Sequence, residues 1–273
     1  MENLKEIQDA VNRVYLKHFF NFDWRTGFSC PFVPRISPQY LEENNRVVIL
    51  GQETNTWYRN ENISNPDFSK GDVSEIEIHC LQERFDKFVE DDVETYKKSK
   101  FWLFSSELYT NDILEGTMVT KMNGKKYLSH CWLNLFLVEK IVNKGDDKGK
   151  TSQNRVLTNE VLSIQKQLLY EIFEIIKPKV IVALIGPDID GIFTKYALNV
   201  QVGNFEIIKV SNEYEKRILA EFRILDNSNC LNNTKIIRAY HPSYFMWRMK
   251  KKYMPDVYKN ALMNKIRCVT KNN

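Results

Sequence analysis

Three apolar segments that each end in glycine or polar residues constrain the fold of this chain more than any other feature. They are residues 47–50 (VVIL), 179–184 (KVIVAL) and 234–240 (TKIIRAY). β-branched residues dominate them, as is typical of strands buried in a parallel sheet. A helical apolar pattern at residues 161–175 is stopped by Pro178 just before the second segment, which indicates a helix followed by a parallel strand. The sequence therefore predicts an α/β fold.

The composition favours one domain, residues 1–273, with an N-terminal helix at its start and a basic segment at its end. The chain has 273 residues, of which 43% are hydrophobic and 27% are charged, and this is enough for one sizeable core. No apolar run approaches the roughly 18 residues of a membrane span, and the first residues lack the plan of a signal peptide. We therefore expect a soluble cytoplasmic protein that binds no membrane.

The sequence gives little support to a metal or nucleotide cofactor. Its five cysteines are scattered without a C-x-x-C pair, which favours reduced thiols over disulfides or an iron–sulfur cluster. The pairs His79-Cys80 and His130-Cys131 suggest zinc, but adjacent side chains point in different directions. No G-x-x-x-x-G-K loop or carboxylate cluster for magnesium is present, which argues against a nucleotide hydrolase or phosphotransferase. We expect no cofactor and no metal.

Positive charge is concentrated at the C-terminal end. From Arg248 onward there are eight basic residues and one acidic residue, a local charge of +7, so the rest of the chain carries −3 of the total of +4. A cluster of this kind attracts a polyanion, and nucleic acid is the commonest one in a cytosol. The predicted DNA contacts in this segment are Arg248, Lys250, Lys251 and Lys252. The alternative is a solvated C-terminal helix whose lysines serve solubility.

Polar residues follow the predicted strands at the places where ligands usually bind. In open α/β sheets these places lie just beyond the carboxyl ends of the strands, so residues 51–55 are candidates. Glu53 either acts in the chemistry or caps a following helix. Asn134 lies within the apolar run 130–138, where an unpaired amide costs about 1–3 kcal/mol. It is therefore either bonded to the backbone or available to a ligand.

Four short motifs occur in the order seen in the uracil-DNA glycosylase superfamily. They are Gly51-Gln52-Glu53 after the first strand, Leu133-Asn134, residues 177–184 followed by glycine, and His241-Pro242-Ser243 after the last strand. The chain resembles that superfamily over residues 45–250 in outline, with close matches only in these motifs. The resemblance implies a three-layer α/β/α sandwich around a mainly parallel sheet. It also implies a monomeric enzyme that flips a nucleotide out of DNA and hydrolyses its N-glycosidic bond, leaving an abasic site.

The same resemblance implies roles for individual residues. His241 would donate a hydrogen bond to the departing base, which carries developing negative charge. Glu53 would position water and balance the cationic sugar, although it is one methylene longer than the aspartate of the family. Phe68, or else Trp57 or Tyr58, would stack on the base. The predicted substrate-binding residues are Gly51, Gln52, Asn55, Phe68, Asn134 and Ser243.

Two departures from the family's first motif concern the substrate. Thr54 stands where the family has proline, and Asn55 stands where it has the tyrosine that excludes thymine. An open, polar wall there would admit a C5-substituted pyrimidine, as found in modified bacteriophage DNA. Defence against such DNA and base-excision repair are both open as roles. A rival interpretation is a non-catalytic DNA- or nucleotide-binding module of the same fold, which Glu53 favours and the intact His241-Pro242-Ser243 motif opposes.

Four large side chains directly follow the last motif. They belong to Tyr244, Phe245, Met246 and Trp247. In the resembling family this position carries the apolar wedge that fills the gap left by a flipped base. We therefore predict that Tyr244 and Phe245 contact DNA. The alternative is the start of a helix that packs inward.

Overall fold

A six-stranded, mostly parallel sheet forms the centre of the computed structural model. The structure describes residues 4–19, 28–42, 46–52, 75–93, 99–140, 155–210, 214–247 and 254–271. Its strands are β1 (Val47–Gly51), β2 (Val119–Met122), β3 (Lys125–Leu128), β4 (Cys131–Asn134), β5 (Val180–Leu184), β6 (Phe205–Lys209), β7 (Leu219–Ile224) and β8 (Lys235–Ala239). The strand order of the large sheet is β4-β1-β5-β8-β7-β6. The predicted α/β class with a mainly parallel sheet is confirmed.

The three apolar segments singled out in the sequence are the central strands β1, β5 and β8. Strand β1 pairs in parallel with β4 on one side and with β5 on the other, and β5 pairs in parallel with β8. Every residue of β1 and β5 is buried, as the continuous apolar runs indicated. Because these four strands run in one direction, their carboxyl ends meet at one edge of the sheet. We call this the carboxyl edge.

At the end of the sheet beyond β8, strand β7 pairs antiparallel with both of its neighbours, β8 and β6. A separate antiparallel hairpin joins β2 to β3 through Asn123 and Gly124, whose φ angles are 51° and 82°. Positive φ at both central residues is the requirement of the tightest hairpin turns, and Asn-Gly is the pair that best adopts it. The residues of this turn therefore match the conformation that the hairpin requires.

Helices precede, separate and follow the strands along the chain. They are α1 (Leu4–Phe19), α2 (Pro38–Leu41), α3 (Glu75–Lys87), α4 (Lys100–Thr110), α5 (Arg155–Gln165), α6 (Leu168–Ile176), α7 (Asp190–Ile192), α8 (Tyr244–Trp247) and α9 (Asp256–Lys271). One π-helical turn, Phe88–Asp92, extends α3, and a second, Phe193–Ala197, extends α7. Within the described ranges, no helix is both long enough and apolar enough to span a membrane.

The helix predicted over residues 161–175 is in fact two helices. Lys166 adopts the left-handed conformation with φ of 43°, which ends α5 and starts α6 in a new direction. The side chain of Gln165 lies inward at this break. Its Oε1 accepts from the Leu137 N–H at 3.0 Å, and its Nε2 donates to the Leu135 carbonyl at 2.7 Å. The break therefore places an amide where it satisfies the backbone that follows β4.

Candidate active site

Gly51, the last residue of β1, lies against the predicted site residue Asn134. It pairs with Asn134 at the last rung between β1 and β4, and its carbonyl accepts from the Leu135 N–H at 2.8 Å. A Cβ atom added at Gly51 would overlap Oδ1 of Asn134 and would lie 3.5 Å from Cε2 of Phe101. Glycine therefore suits this position because the Asn134 amide occupies the space that a Cβ atom would need.

Asn134 is buried, and its amide nitrogen has no hydrogen-bond partner in the part of the chain that the structure describes. The residue is 2% exposed, and Nδ2 bonds no other described group. An unsatisfied buried donor costs about 1–3 kcal/mol, and a ligand that accepts from it would remove this cost. Of the two explanations that the sequence left open, backbone pairing of Nδ2 does not occur among the described residues. The geometry favours a ligand with a hydrogen-bond acceptor.

Phe101 lies between Gly51 and His241 at this edge of the sheet, and the sequence analysis did not single it out. It is in the first turn of α4, where Ser99 caps the helix by accepting from the Trp102 N–H. Its half-buried ring stacks on His241 at 5.9 Å between centroids, with 12° between the ring planes. One signal was present in the sequence. Residues 101–104 are all large and apolar, and four consecutive residues cannot all face the same core.

His241 follows β8 and is held in one neutral form. Burial lowers the pKa of its imidazole from the ordinary 6.5 to about 4, so the ring is uncharged at neutral pH. The Ser243 N–H donates to Nδ1 at 3.2 Å, which leaves the ring proton on Nε2. The Tyr244 N–H also donates to the His241 carbonyl at 2.8 Å. His241 is therefore a neutral donor whose orientation is fixed by the turn that follows it.

The structure brings together part of the predicted site. Gly51, Asn134 and His241 meet at the carboxyl edge around Phe101, and Ser243 contributes its main-chain N–H to His241. Gln52 is half-buried beside them, and its carbonyl accepts from the Phe136 N–H at 3.0 Å. The predicted residues that lie outside the described ones are Glu53, Asn55, Phe68, Arg248, Lys250, Lys251 and Lys252.

The prediction that Phe245 contacts DNA is corrected by its burial. It is 3% exposed, and its ring packs 4.8 Å from that of Tyr258 in α9. An apolar wedge must project from the protein surface into the DNA, whereas the Phe245 ring is packed in the core. Tyr244 is half-buried and stacks on Tyr240 at 3.9 Å. The alternative of an inward-packing helix start therefore holds for Phe245.

Part of the basic charge near the C-terminus is engaged by partners within the protein. Lys259 of α9 pairs with Glu107 at 3.3 Å, and Lys265 pairs with Glu221 at 2.5 Å. Arg267 donates to the Asn111 carbonyl at 3.1 Å. These contacts attach α9 to α4, to the residue that follows it and to β7. The DNA-binding hypothesis therefore depends on residues 248–252 more than on α9.

His130 has a hydrogen-bond partner at one of its two ring nitrogens. Its Nδ1 lies 3.0 Å from the Tyr109 hydroxyl, and burial lowers its pKa to about 3. Burial also raises the pKa of the Cys131 thiol, which disfavours the thiolate that zinc requires. Among the described residues, no three His, Cys, Asp or Glu side chains are grouped closely enough to hold a metal ion.

No protein-family model matches the chain, and no curated protein sequence matches it.

Proposed function

We propose that the protein is a DNA glycosylase of the uracil-DNA glycosylase superfamily, which excises a base by hydrolysis of its N-glycosidic bond. The observation that carries the proposal is the unpartnered amide of Asn134 at the carboxyl edge. It lies beside Gly51, whose neighbour Phe101 stacks on the neutral donor His241. An amide, an aromatic ring and a neutral imidazole together suit a planar base that leaves with negative charge.

Recognition of the base would depend on Asn134. A glycosylase extrudes its target nucleotide and reads the Watson–Crick edge of the base by hydrogen bonds. The free Nδ2 of Asn134 supplies a donor for a carbonyl oxygen of a pyrimidine, and its Oδ1 supplies an acceptor for a ring N–H. The Phe101 ring provides the apolar surface on which a base stacks. With a ligand in place, the buried amide would no longer be unsatisfied.

Catalysis would depend on His241 and Glu53. Cleavage of the N-glycosidic bond leaves negative charge on the base and positive charge on the sugar. The neutral His241 donates from Nε2 to the base oxygen, and a fixed donor in a partly buried site stabilises such charge strongly. Glu53 follows Gln52 directly in the chain and would balance the sugar and orient the attacking water.

The sheet order supports the same proposal. Four parallel strands in the order β4-β1-β5-β8 place the ends of β1, β4 and β8 at one edge, and these ends carry Gly51, Asn134 and His241. The chain leaves β1 for β4 on one side and leaves β5 for the strands on the other side, and ligands bind at such a switch point. We include the three-layer α/β/α arrangement and the superfamily membership in the proposal.

The proposed substrate is DNA that carries a C5-substituted pyrimidine. The support is Asn55 and Thr54, which replace the family's tyrosine and proline in the first motif. A monomer in the cytoplasm would bind the DNA backbone through its segment 248–252. Its role would be defence against modified phage DNA or base-excision repair.

An abasic-site assay tests the proposal directly. Single- and double-stranded oligonucleotides carrying uracil, thymine, 5-hydroxymethylcytosine or glucosylated 5-hydroxymethylcytosine are incubated with the protein, and abasic sites are revealed by alkaline cleavage. We expect cleavage at a C5-substituted pyrimidine. Binding of these oligonucleotides without any abasic site would instead identify a non-catalytic binding module.

Two variants make the assay specific to this site. His241→Ala should slow excision by on the order of 100-fold or more because it removes the donor to the departing base. Asn134→Leu should slow excision to a similar extent because it removes the amide that would read the base. Its thermal midpoint should stay near that of the parent, because the replaced amide is buried and unsatisfied. A large fall in the midpoint of Asn134→Leu would show that the amide has a structural role.

A further inference from the structure

The ladder between β7 and β8 is interrupted by a tyrosine hydroxyl one residue before His241. The two strands pair in antiparallel register up to Leu219 and Ala239, so Ile218 and Tyr240 would form the next pair. The Tyr240 N–H does not donate to Ile218. It donates to the Tyr258 hydroxyl at 3.0 Å, and that hydroxyl donates to the Ile218 carbonyl at 3.3 Å.

The alternation of main-chain groups shows that this rung would otherwise close directly. The Gly186 N–H donates to the Ala239 carbonyl at 2.9 Å, so the main chain of Ala239 faces β5. The main-chain groups of the next residue, Tyr240, must then face β7 and Ile218. The hydroxyl of Tyr258 thus replaces a direct strand-to-strand bond with a bridge of two hydrogen bonds. The bridge holds the two backbones farther apart than a ladder allows.

The bridge lies where the chain leaves the sheet at the end of β8, directly before His241. Tyr258 is 1% exposed in α9, so the hydroxyl is held from a rigid helix within the core. Its ring also packs on Phe245, which lies beyond His241 in the chain. Tyr258 therefore contacts the chain on both sides of His241. Between these two points, the imidazole is fixed by the Ser243 N–H on one side and the Phe101 ring on another.

We infer that Tyr258 is a positioning residue for His241. The Tyr258 hydroxyl keeps the last rung of β7 and β8 open and so holds the imidazole of His241 against the Phe101 ring. The inference rests on the proposed function for its catalytic meaning, but not for the geometry of His241. Tyr258 itself touches no reacting atom. Its effect passes through Tyr240 to the orientation of the neighbouring imidazole.

The test is Tyr258→Phe, which removes only the hydroxyl. Without the bridge, the Tyr240 N–H pairs with Ile218 directly or stays unpaired, and the imidazole shifts from its place in either case. We expect long-range ¹H–¹⁵N NMR to show the His241 pKa moving from about 4 toward its ordinary 6.5. The signal of the Nδ1 atom, which accepts from Ser243, should also change. Single-turnover excision should slow by about 10- to 100-fold at unchanged oligonucleotide affinity.

Tyr40→Phe is the matched control. Tyr40 is also fully buried, and its hydroxyl also donates to a main-chain carbonyl, that of Ile176 at 3.2 Å. Ile176 ends α6 just before β5 begins, so this bond lies at the opposite edge of the sheet. The control should lose similar stability in thermal unfolding and leave the His241 signals and the excision rate unchanged. An equal change of the His241 signals in both variants would overturn the inference.

The outcomes separate this inference from the proposed function. Unaltered His241 signals in Tyr258→Phe overturn the positioning role even if the protein excises bases. Altered signals in a protein that excises no base support the positioning role and count against the glycosylase. If Tyr258→Phe fails to fold, the parent protein still decides the point. A nuclear Overhauser effect between the Tyr258 hydroxyl proton and the Tyr240 amide proton is expected, and its absence contradicts the bridge.

Discussion

At the scale of single residues, the contact between Gly51 and Asn134 is the most sensitive point of the candidate site. Gly51→Ala places a methyl group against Oδ1 of Asn134 and close to Phe101. The Asn134 amide is the group that overlaps the added methyl, so the amide must move. We expect destabilisation by about 1–3 kcal/mol in urea unfolding, as for other overpacked cores, together with slower excision.

Gly191→Ala is the control for this prediction. Gly191 lies in α7, and a Cβ atom added there meets nothing within 4 Å. Alanine is also favoured over glycine in a helix by about 1 kcal/mol, so this variant should be as stable as the parent or slightly more stable. Equal stability of Gly51→Ala and the parent would mean that Asn134 has room to turn away.

The chemistry of single residues was predictable where burial makes a polar group costly, and less so elsewhere. Asn134 was singled out because an amide within an apolar run needs a partner, whereas the role of His241 was proposed from the resemblance of residues 241–243 to the last motif of the glycosylase superfamily. Phe101 was missed because an aromatic residue fits a core and a ligand site equally well. Phe245 was assigned to the surface because sequence alone does not show that Tyr258, thirteen positions later, packs on its ring.

At the scale of elements, the strands were predicted better than their neighbours in the sheet. Apolar β-branched runs ending in glycine or polar residues located β1, β5 and β8 within one or two residues. The sequence did not predict that β7 pairs antiparallel with both β6 and β8, since the direction of a strand depends on how the connections cross the sheet. The break at Lys166 was also missed, because it depends on tertiary bonds made by Gln165.

The basic C-terminal segment gives a prediction about DNA binding that distinguishes residues 250–252 from α9. Replacing Lys250, Lys251 and Lys252 by glutamine should weaken DNA binding equally on all sequences. It should also reduce the slope of log K against log salt by roughly 0.9 for each lost phosphate contact to a duplex. Fluorescence anisotropy at several salt concentrations measures both effects. Unchanged affinity at every salt concentration would show that these lysines serve solubility.

Lys265→Gln in α9 is the matched control for the lysine variant. Lys265 is paired with Glu221 of β7, so its charge is already opposed within the protein. Its replacement should lower stability slightly and leave the salt slope nearly unchanged. A loss of DNA affinity equal to that from one of the three lysines would extend the DNA contact onto α9.

At the scale of the whole molecule, the order of the strands assembles the site from distant parts of the chain. Gly51, Asn134 and His241 span 190 positions in sequence, yet β1, β4 and β8 deliver them to one edge. Sequence order alone predicted which strands end in polar residues. It did not predict that β4 lies next to β1, and this adjacency brings the buried amide against Gly51.

Two buried neutral histidines should make the stability of the whole protein depend on pH. Burial lowers the pKa of His241 to about 4 and that of His130 to about 3, whereas both return to about 6.5 on unfolding. Between these values the unfolded chain binds more protons than the folded one, so stability rises with pH. The contribution is fully present above about pH 6.5. It is lost progressively as the pH falls through the folded pKa values.

Urea unfolding at pH 7, 6, 5 and 4 should therefore show a free energy of unfolding that falls below pH 6.5. His241→Gln should make this fall shallower, because one of the two groups no longer titrates. His79→Gln is the control, since the side chain of His79 in α3 is 66% exposed, and its replacement should leave the fall unchanged. A free energy of unfolding that stays constant from pH 7 to pH 5 would mean that His241 and His130 bind protons in the folded protein. The neutral, hydrogen-bond-donating His241 of the proposed mechanism would then be ruled out at those pH values.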